Sequence, residues 1–243
     1  MCPFTKTQYF GDELELGLIW TKGALPMEWI FIHTLTFTFM SVFSMVNPIG
    51  MAPVFLAQTS RQPKEERHKL AYRVACYGAI LLIITLFTGP SVLQFFGVAL
   101  ADIRVAGGIF VFFTAWQMLV ADPAPPAGVA EAPTGRDKSA DIAFFPLTMP
   151  ITAGAGTIAI ILTLSSKMEG SLQNEVASYA GAVVGIVLVF ICVAICYRYS
   201  DAIFKKIGPA GTAVLTRLTA FLLLAIGVSV TWGGLSSLIL SLK

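Results

Sequence analysis

The sequence predicts an all-α membrane protein of six transmembrane helices, built as two inverted three-helix repeats in which the first helix of each repeat is broken. Composition, hydrophobic run length and two matching interruptions point there. Of 243 residues, 56% are hydrophobic and 12% charged, against about 25% charged in soluble domains. The hydrophobic runs reach the ~20 residues that a bilayer crossing requires. Two runs are interrupted at the middle, by Phe43-Ser44-Met45-Val46-Asn47-Pro48-Ile49-Gly50-Met51-Ala52-Pro53 and by Phe145-Pro146-Leu147-Thr148-Met149-Pro150-Ile151-Thr152-Ala153-Gly154-Ala155-Gly156. Proline removes a backbone donor and clashes with the preceding turn, so each run should be two half-helices with unwound backbone between them. In a bilayer such backbone survives only when buried in protein or lining a cavity. Two breaks at corresponding places in two halves mark a transporter's binding site.

The elements follow in order. Residues 1–28 are mixed in character, with Asp12, Glu13 and Glu15 and no basic start, apolar core or small-residue cleavage site, so they are not a signal peptide. They read as a short extension, or as sequence ahead of a start at Met27. The first repeat, 29–121, holds spans over 29–58 (broken), 70–88 and 103–120. Residues 122–141, rich in proline and alanine, read as a flexible linker. The second repeat, 142–243, holds spans over 142–165 (broken), 176–197 and 210–240. The last is too long for one straight span, and Gly208, Gly211, Gly227, Gly233 and Gly234 let part of it lie outside the hydrocarbon.

Basic residues set the orientation. Arg61, Lys64, Arg67 and Lys69 follow the first span, Arg136 and Lys138 lie in the linker, and Arg198, Lys205 and Lys206 follow the fifth span. The other side carries Lys6, Lys22, Lys167 and Lys243. Nine against four places the first set in the cytoplasm and both termini outside.

With three spans per half, related halves must enter the membrane in opposite senses. Each half opens with a broken span, at Pro48 and Pro150, and closes with a span that has an arginine near its start, Arg104 and Arg217. Proline to arginine is 56 residues in one half and 67 in the other, a difference that loop lengths absorb.

Several function classes recede on the same composition. A net charge of +2 with no basic cluster interleaved with aromatics gives no nucleic-acid partner. His33 and His68 are the only histidines and are far apart, which argues against a metal site and against a nucleophile–base pair. Cys76, Cys192 and Cys196 lie in apolar segments, where a thiol behaves as a small hydrophobe. No cofactor is implied.

The segment Asn47-Pro48-Ile49-Gly50-Met51-Ala52-Pro53-Val54-Phe55 resembles the first-span signature of the MarC family. The segment 145–156 is similar to that family's second signature, and Arg104-Val105-Ala106-Gly107-Gly108 with Phe110 fits its third span. The resemblance runs from about Trp29 to the C-terminus. It implies a bacterial or archaeal six-span protein of the inner (plasma) membrane, related to transporters of small neutral amino acids such as glycine and alanine.

A zwitterion needs a positive partner for its carboxylate and a negative one for its ammonium, and half-helix ends supply both. Helices expected to start after Gly50, and after Gly154 or Gly156, would aim free N–H groups and a partial positive charge into the breaks. Half-helices ending near Val46 and Thr148 would offer carbonyls to an ammonium. The expected substrate-binding residues are Asn47, Pro48, Gly50, Thr148, Thr152, Gly154 and Gly156. The bland alternative is that Asn47 caps a kinked helix and the glycines allow close packing. Arg104 and Arg217 are expected to gate or to serve structure, snorkelling from helix ends. Asp102 is close enough to Arg104 in sequence for a boundary ion pair.

The leading function is therefore a secondary transporter of glycine, alanine, serine and threonine working by alternating access. A proton, a sodium ion and uncoupled exchange all fit as its energy source. A non-transporting membrane partner or sensor is the alternative, ahead of a channel and of an enzyme. Its expected partners are a small amino acid and membrane lipid.

Overall fold

In the computed structural model the described residues are 27–60, 62–120, 143, 148, 152–166, 168 and 172–241. The expected N-terminal extension up to residue 26, the linker, and half of the second interruption (145–147 and 149–151) lie outside them, while Met27 and Glu28 already belong to the first helix. All the regular elements among the described residues are helices.

Helix α1 (Met27–Val46) and helix α2 (Pro48–Gln58) form the first, broken span. The break is tighter than an unwound segment, and α2 starts at Pro48 and not after Gly50. Asn47 alone separates the two helices, in the left-handed conformation with φ 46° and ψ 64°. It is the one non-glycine residue at positive φ among the described residues. Asparagine tolerates that region better than most side chains. Its backbone N–H still reaches Phe43 O at 2.8 Å and its carbonyl accepts the Met51 N–H at 3.0 Å. The ladder thus bends at Asn47 without opening widely. Pro48 then sits at the first helical position, where a missing N–H costs nothing.

Helix α3 (Lys64–Phe96) extends beyond the expected 70–88 at both ends. Glu65 and Glu66 suit its positive first turn. It ends where Gly97 turns left-handed (φ 64°) and the N–H groups of Gly97 and Val98 reach back to Gln94 O and Leu93 O. Helix α4 (Leu100–Val120) follows at once, with the Asp102 carboxylate accepting the Ala99 N–H at 3.1 Å. Beyond the second break, helix α5 (Ala155–Ser165) is the downstream half-helix. The helical stretch Leu172–Ser241 is two helices, because Gly208 (φ 75°, ψ 173°) leaves helical geometry within it. We number its arms α6 (Asn174–Phe204) and α7 (Ala210–Ser241).

Among the described residues, five helical segments are long and apolar enough to cross a membrane: 27–58, α3, α4, α6 and α7. The shorter apolar α5 belongs to the expected fourth span, 142–165, as its downstream half-helix. The interior is built from Val42, Val46, Phe55, Leu82, Leu86, Ile161, Ile186, Val193 and their neighbours, all fully or nearly buried. The outside is equally apolar. Trp29, Phe37, Phe87, Phe113, Trp116, Phe221 and Trp232 are all exposed. Helices apolar all round, with large hydrophobics facing outward, are suited to lipid and not to water.

With lipid outside, helices associate through close packing and not through the hydrophobic effect. Small residues supply that closeness. A Cβ on Gly181 of α6 would lie 2.6 Å from Phe31 O of α1, and one on Gly185 would lie 3.0 Å from Leu35 O. In the same way α4 and α7 meet backbone to backbone. A Cβ on Gly227 would lie 2.7 Å from Phe112 N, and one on Gly234 would lie 2.9 Å from Ala101 O.

Candidate functional site

The two breaks face each other across a small cavity of ≈ 40 Å³, measured as space open to the centres of water-sized molecules. A water molecule requires about 10–15 Å³ on that measure, so the space suits a ligand of a few heavy atoms. Met45 and Met51 flank it from either side of the Asn47 joint. Thr152, Gly154, Gly156 and Thr157 form the wall from the second break. Phe110, Val111 and Thr114 of α4 and Leu223 of α7 complete it. All ten of these lining residues are neutral, so the polar character comes from threonine hydroxyls, backbone and two soft thioethers.

The α5 end of this wall carries the clearest electrostatic feature. Gly154 is the N-cap of α5, in extended conformation, and offers no side-chain cap. Its carbonyl accepts the N–H groups of Thr157 and Ile158, at 3.0 and 3.1 Å. The N–H groups of Ala155 and Gly156, at the first two helical positions, have no acceptor within their own helix. Gly154 and Gly156 line the cavity, so the positive end of α5 is presented to it.

The first break behaves differently. The Asn47 side chain turns back to its own helix and accepts the Gly50 N–H at 3.2 Å. Pro48 is buried. Gly50 packs so closely on Thr219 of α7 that a Cβ would overlap that side chain. Asn47, Pro48 and Gly50 therefore lie beside the cavity, not in its wall. Thr148 is fully buried as well: its hydroxyl donates to Ala143 O at 2.6 Å, and its carbonyl accepts the Ala153 N–H at 2.8 Å. The carbonyl expected to meet an ammonium there is engaged within the break itself.

Thr152 is buried in the wall and shares a 3.0 Å hydrogen bond with Tyr197 OH of α6. Tyr197 is 1% exposed and its ring stacks on Phe55 of α2, centroids 4.5 Å apart. The sequence reading missed Tyr197, Thr157 and both methionines. Of the two arginines, Arg104 reaches inward and donates from Nε to Thr163 Oγ1 of α5 at 2.9 Å. Arg217 is exposed on α7, seven residues from its start, within snorkelling reach of the interface.

The family described as MarC family integral membrane protein matches residues 32–239. A UPF0056 membrane protein, YvbG, of Bacillus subtilis is 32% identical over 201 residues, covering 82% of this chain and 93% of its own. The UPF0056 inner membrane protein MarC of Salmonella typhimurium is 31% identical over 209 residues, covering 80% of this chain and 90% of its own. A UPF0056 membrane protein of Archaeoglobus fulgidus is 30% identical over 205 residues, covering 84% and 93%. No solved structure matches.

Proposed function

The chain belongs to the MarC family of integral membrane proteins, and from that premise we propose that it is a secondary transporter of small neutral amino acids working by alternating access. The observation that carries this reading is the uncapped N-terminus of α5 in the wall of a small neutral cavity. A carboxylate would be held by the N–H groups of Ala155 and Gly156, aided by the helix dipole. Threonine hydroxyl oxygens of Thr114 and Thr157 would receive the ammonium. Gly154 and Gly156 let the ligand reach the backbone, while Met45, Val111 and Leu223 limit its side chain to the size of glycine, alanine, serine or threonine. Thr152, Gly154 and Gly156 are thus substrate contacts, and Asn47, Pro48 and Gly50 are the joint that sets α2 against α1. On this reading the protein moves a substrate and does not alter it.

Alternating access follows if the halves are inverted repeats. Two features support that arrangement. The downstream half-helices α2 and α5 are both 11 residues long. Each also leans on the third span of the other half: α2 on α7 through Gly50 and Thr219, α5 on α4 through Gly156 and Val111. Rocking one half against the other would then open the cavity to each side in turn. The basic bias supports an orientation with both termini outside and the start of α3 in the cytoplasm, in the plasma (inner) membrane.

Counterflow tests the function. Proteoliposomes preloaded with unlabelled alanine should accumulate labelled alanine transiently above equilibrium, which a carrier does and a sensor, an enzyme or an open channel does not. No such accumulation with alanine, glycine, serine or threonine would overturn the reading.

A further inference from the structure

We propose that Tyr197 is a gating and positioning residue that closes the cavity toward the basic end of the molecule, with the Arg67–Asp201 ion pair as a second tier behind it. The functional consequence of this closure rests on the transporter reading above. Its structural content does not.

The layers can be followed along two helices. On α2, Met51 lines the cavity and Phe55 lies one turn further on, about 6 Å along the axis. On α6, Tyr197 meets Phe55 face to face, and Asp201 is one turn beyond Tyr197. Asp201 in turn holds Arg67 of α3 at 2.9 Å, in a pair whose side chains are only 13% and 25% exposed. Leaving the cavity in this direction, a solute meets first Thr152, Tyr197 and Phe55, each 1% exposed, and then the ion pair. These three side chains pack into one closed layer among the described residues. Beside it, Arg198 donates to Tyr72 OH at 3.0 Å and so ties α6 to α3 a second time at the same end.

Tyr197 is suited to both tasks at once. Its ring fills the space over Phe55, and its hydroxyl fixes Thr152, whose side chain belongs to the cavity wall. A phenylalanine would keep the first function and lose the second. A path to the basic end requires the ring to leave Phe55 and the hydroxyl to release Thr152. The ion pair then has to part, because Asp201 rides on the same helix one turn away. Substrate occupancy and gate opening are thereby coupled through one threonine.

Sided accessibility tests this in the full-length protein. Met51→Cys is placed as a reporter in a chain whose Cys2, Cys76, Cys192 and Cys196 are replaced by alanine. An impermeant thiol reagent is applied from the side that labels a Lys64→Cys control. Tyr197→Ala should raise the modification rate of the reporter about tenfold or more from that side and not from the other. Tyr197→Phe should raise it about 2- to 10-fold, the effect of one hydrogen bond. Asp201→Arg should raise it too, and the swap with Arg67→Asp should bring it back. A rate within about twofold of the parent in Tyr197→Ala and Tyr197→Phe would overturn the gate; should the alanine variant fail to fold, the phenylalanine variant decides. A swap that does not restore closure would remove the second tier. If alanine counterflow is absent while sided accessibility responds as described, the transporter reading falls and the gate stands. Normal counterflow with no accessibility change leaves the reading standing and removes the gate.

Discussion

Arg104 and Thr163 join α4 to the downstream half-helix α5, with Arg104 Nε donating to Thr163 Oγ1 at 2.9 Å. Thr163 lies two residues from the end of α5. The guanidinium thus sits by the negative pole of the helix whose positive pole faces the cavity. Any movement of α5 that opens or closes the cavity acts on this bond.

Arg104→Gln and Thr163→Val should therefore change the rate of transport more than the affinity. A hydrogen bond to a charged group contributes about 1.5–3 kcal/mol, enough for roughly a tenfold or larger change in an exchange rate. Counterflow should slow or accelerate by that order in both variants, with glycine affinity within about twofold of the parent. An equal loss of affinity in both would place Arg104 in the substrate's path instead.

The cavity wall makes a second prediction at Gly156. A Cβ there would overlap Val111 Cγ2 and approach Met45 Cε to 2.8 Å. Both neighbours line the cavity, so Gly156→Ala pushes side chains into it. Overpacking costs about 1–3 kcal/mol, and glycine affinity should fall about tenfold. Met45 is the more yielding neighbour, being the far end of a flexible side chain, so adding Met45→Ala should recover part of the loss. Binding of labelled glycine to purified protein measures both. A double variant no better than Gly156→Ala would show that the loss has another origin.

Parts of this geometry were legible in the sequence for definite reasons. The spans follow from composition and hydrophobic run length, and the place of the first joint follows from Pro48; its tightness, with α2 starting at Pro48 and not after Gly50, depends on Asn47 adopting the left-handed conformation, which the sequence did not show. The second break was visible through the same residue types, and it brings Thr152, Gly154 and Gly156 to a cavity. Gly50 was ambiguous in principle, because a glycine lets either a ligand or a helix come close, and here Thr219 occupies the space. Met45, Met51 and Leu223 were not legible. In a helix apolar all round, no periodicity separates a cavity-facing side chain from a lipid-facing one. Tyr197 was hidden in Cys196-Tyr197-Arg198-Tyr199, at the end of an apolar span where two tyrosines beside an arginine look alike. Only the fold distinguishes Tyr197, 1% exposed, from Tyr199, 54% exposed.

Orientation can be checked on a single helix. Lys64 starts α3 and Val98 follows its end, so the two lie on opposite sides of the bilayer. In the cysteine-free background, Lys64→Cys should be protected from an impermeant reagent in intact cells and Val98→Cys should be labelled. The reverse pattern would invert the topology without touching the fold.

Asn47 offers the sharpest separation between a structural and a binding role. Its φ of 46° is a left-handed conformation that costs an alanine about 1–2 kcal/mol, and its side chain caps α2 through the Gly50 N–H, typically worth about 1 kcal/mol. Asn47→Ala should lose both contributions and lower the midpoint of thermal unfolding by roughly 4–8 °C. Asn47→Gly loses the cap but adopts the conformation freely, so its midpoint should stay within about 2 °C. If the amide serves only the joint, Asn47→Gly should also bind glycine within about twofold of the parent. Thermal unfolding in detergent and glycine binding on the same samples distinguish the cases. A glycine variant as stable as the parent but unable to bind would mean that the amide turns from the Gly50 N–H to the substrate when the cavity is filled.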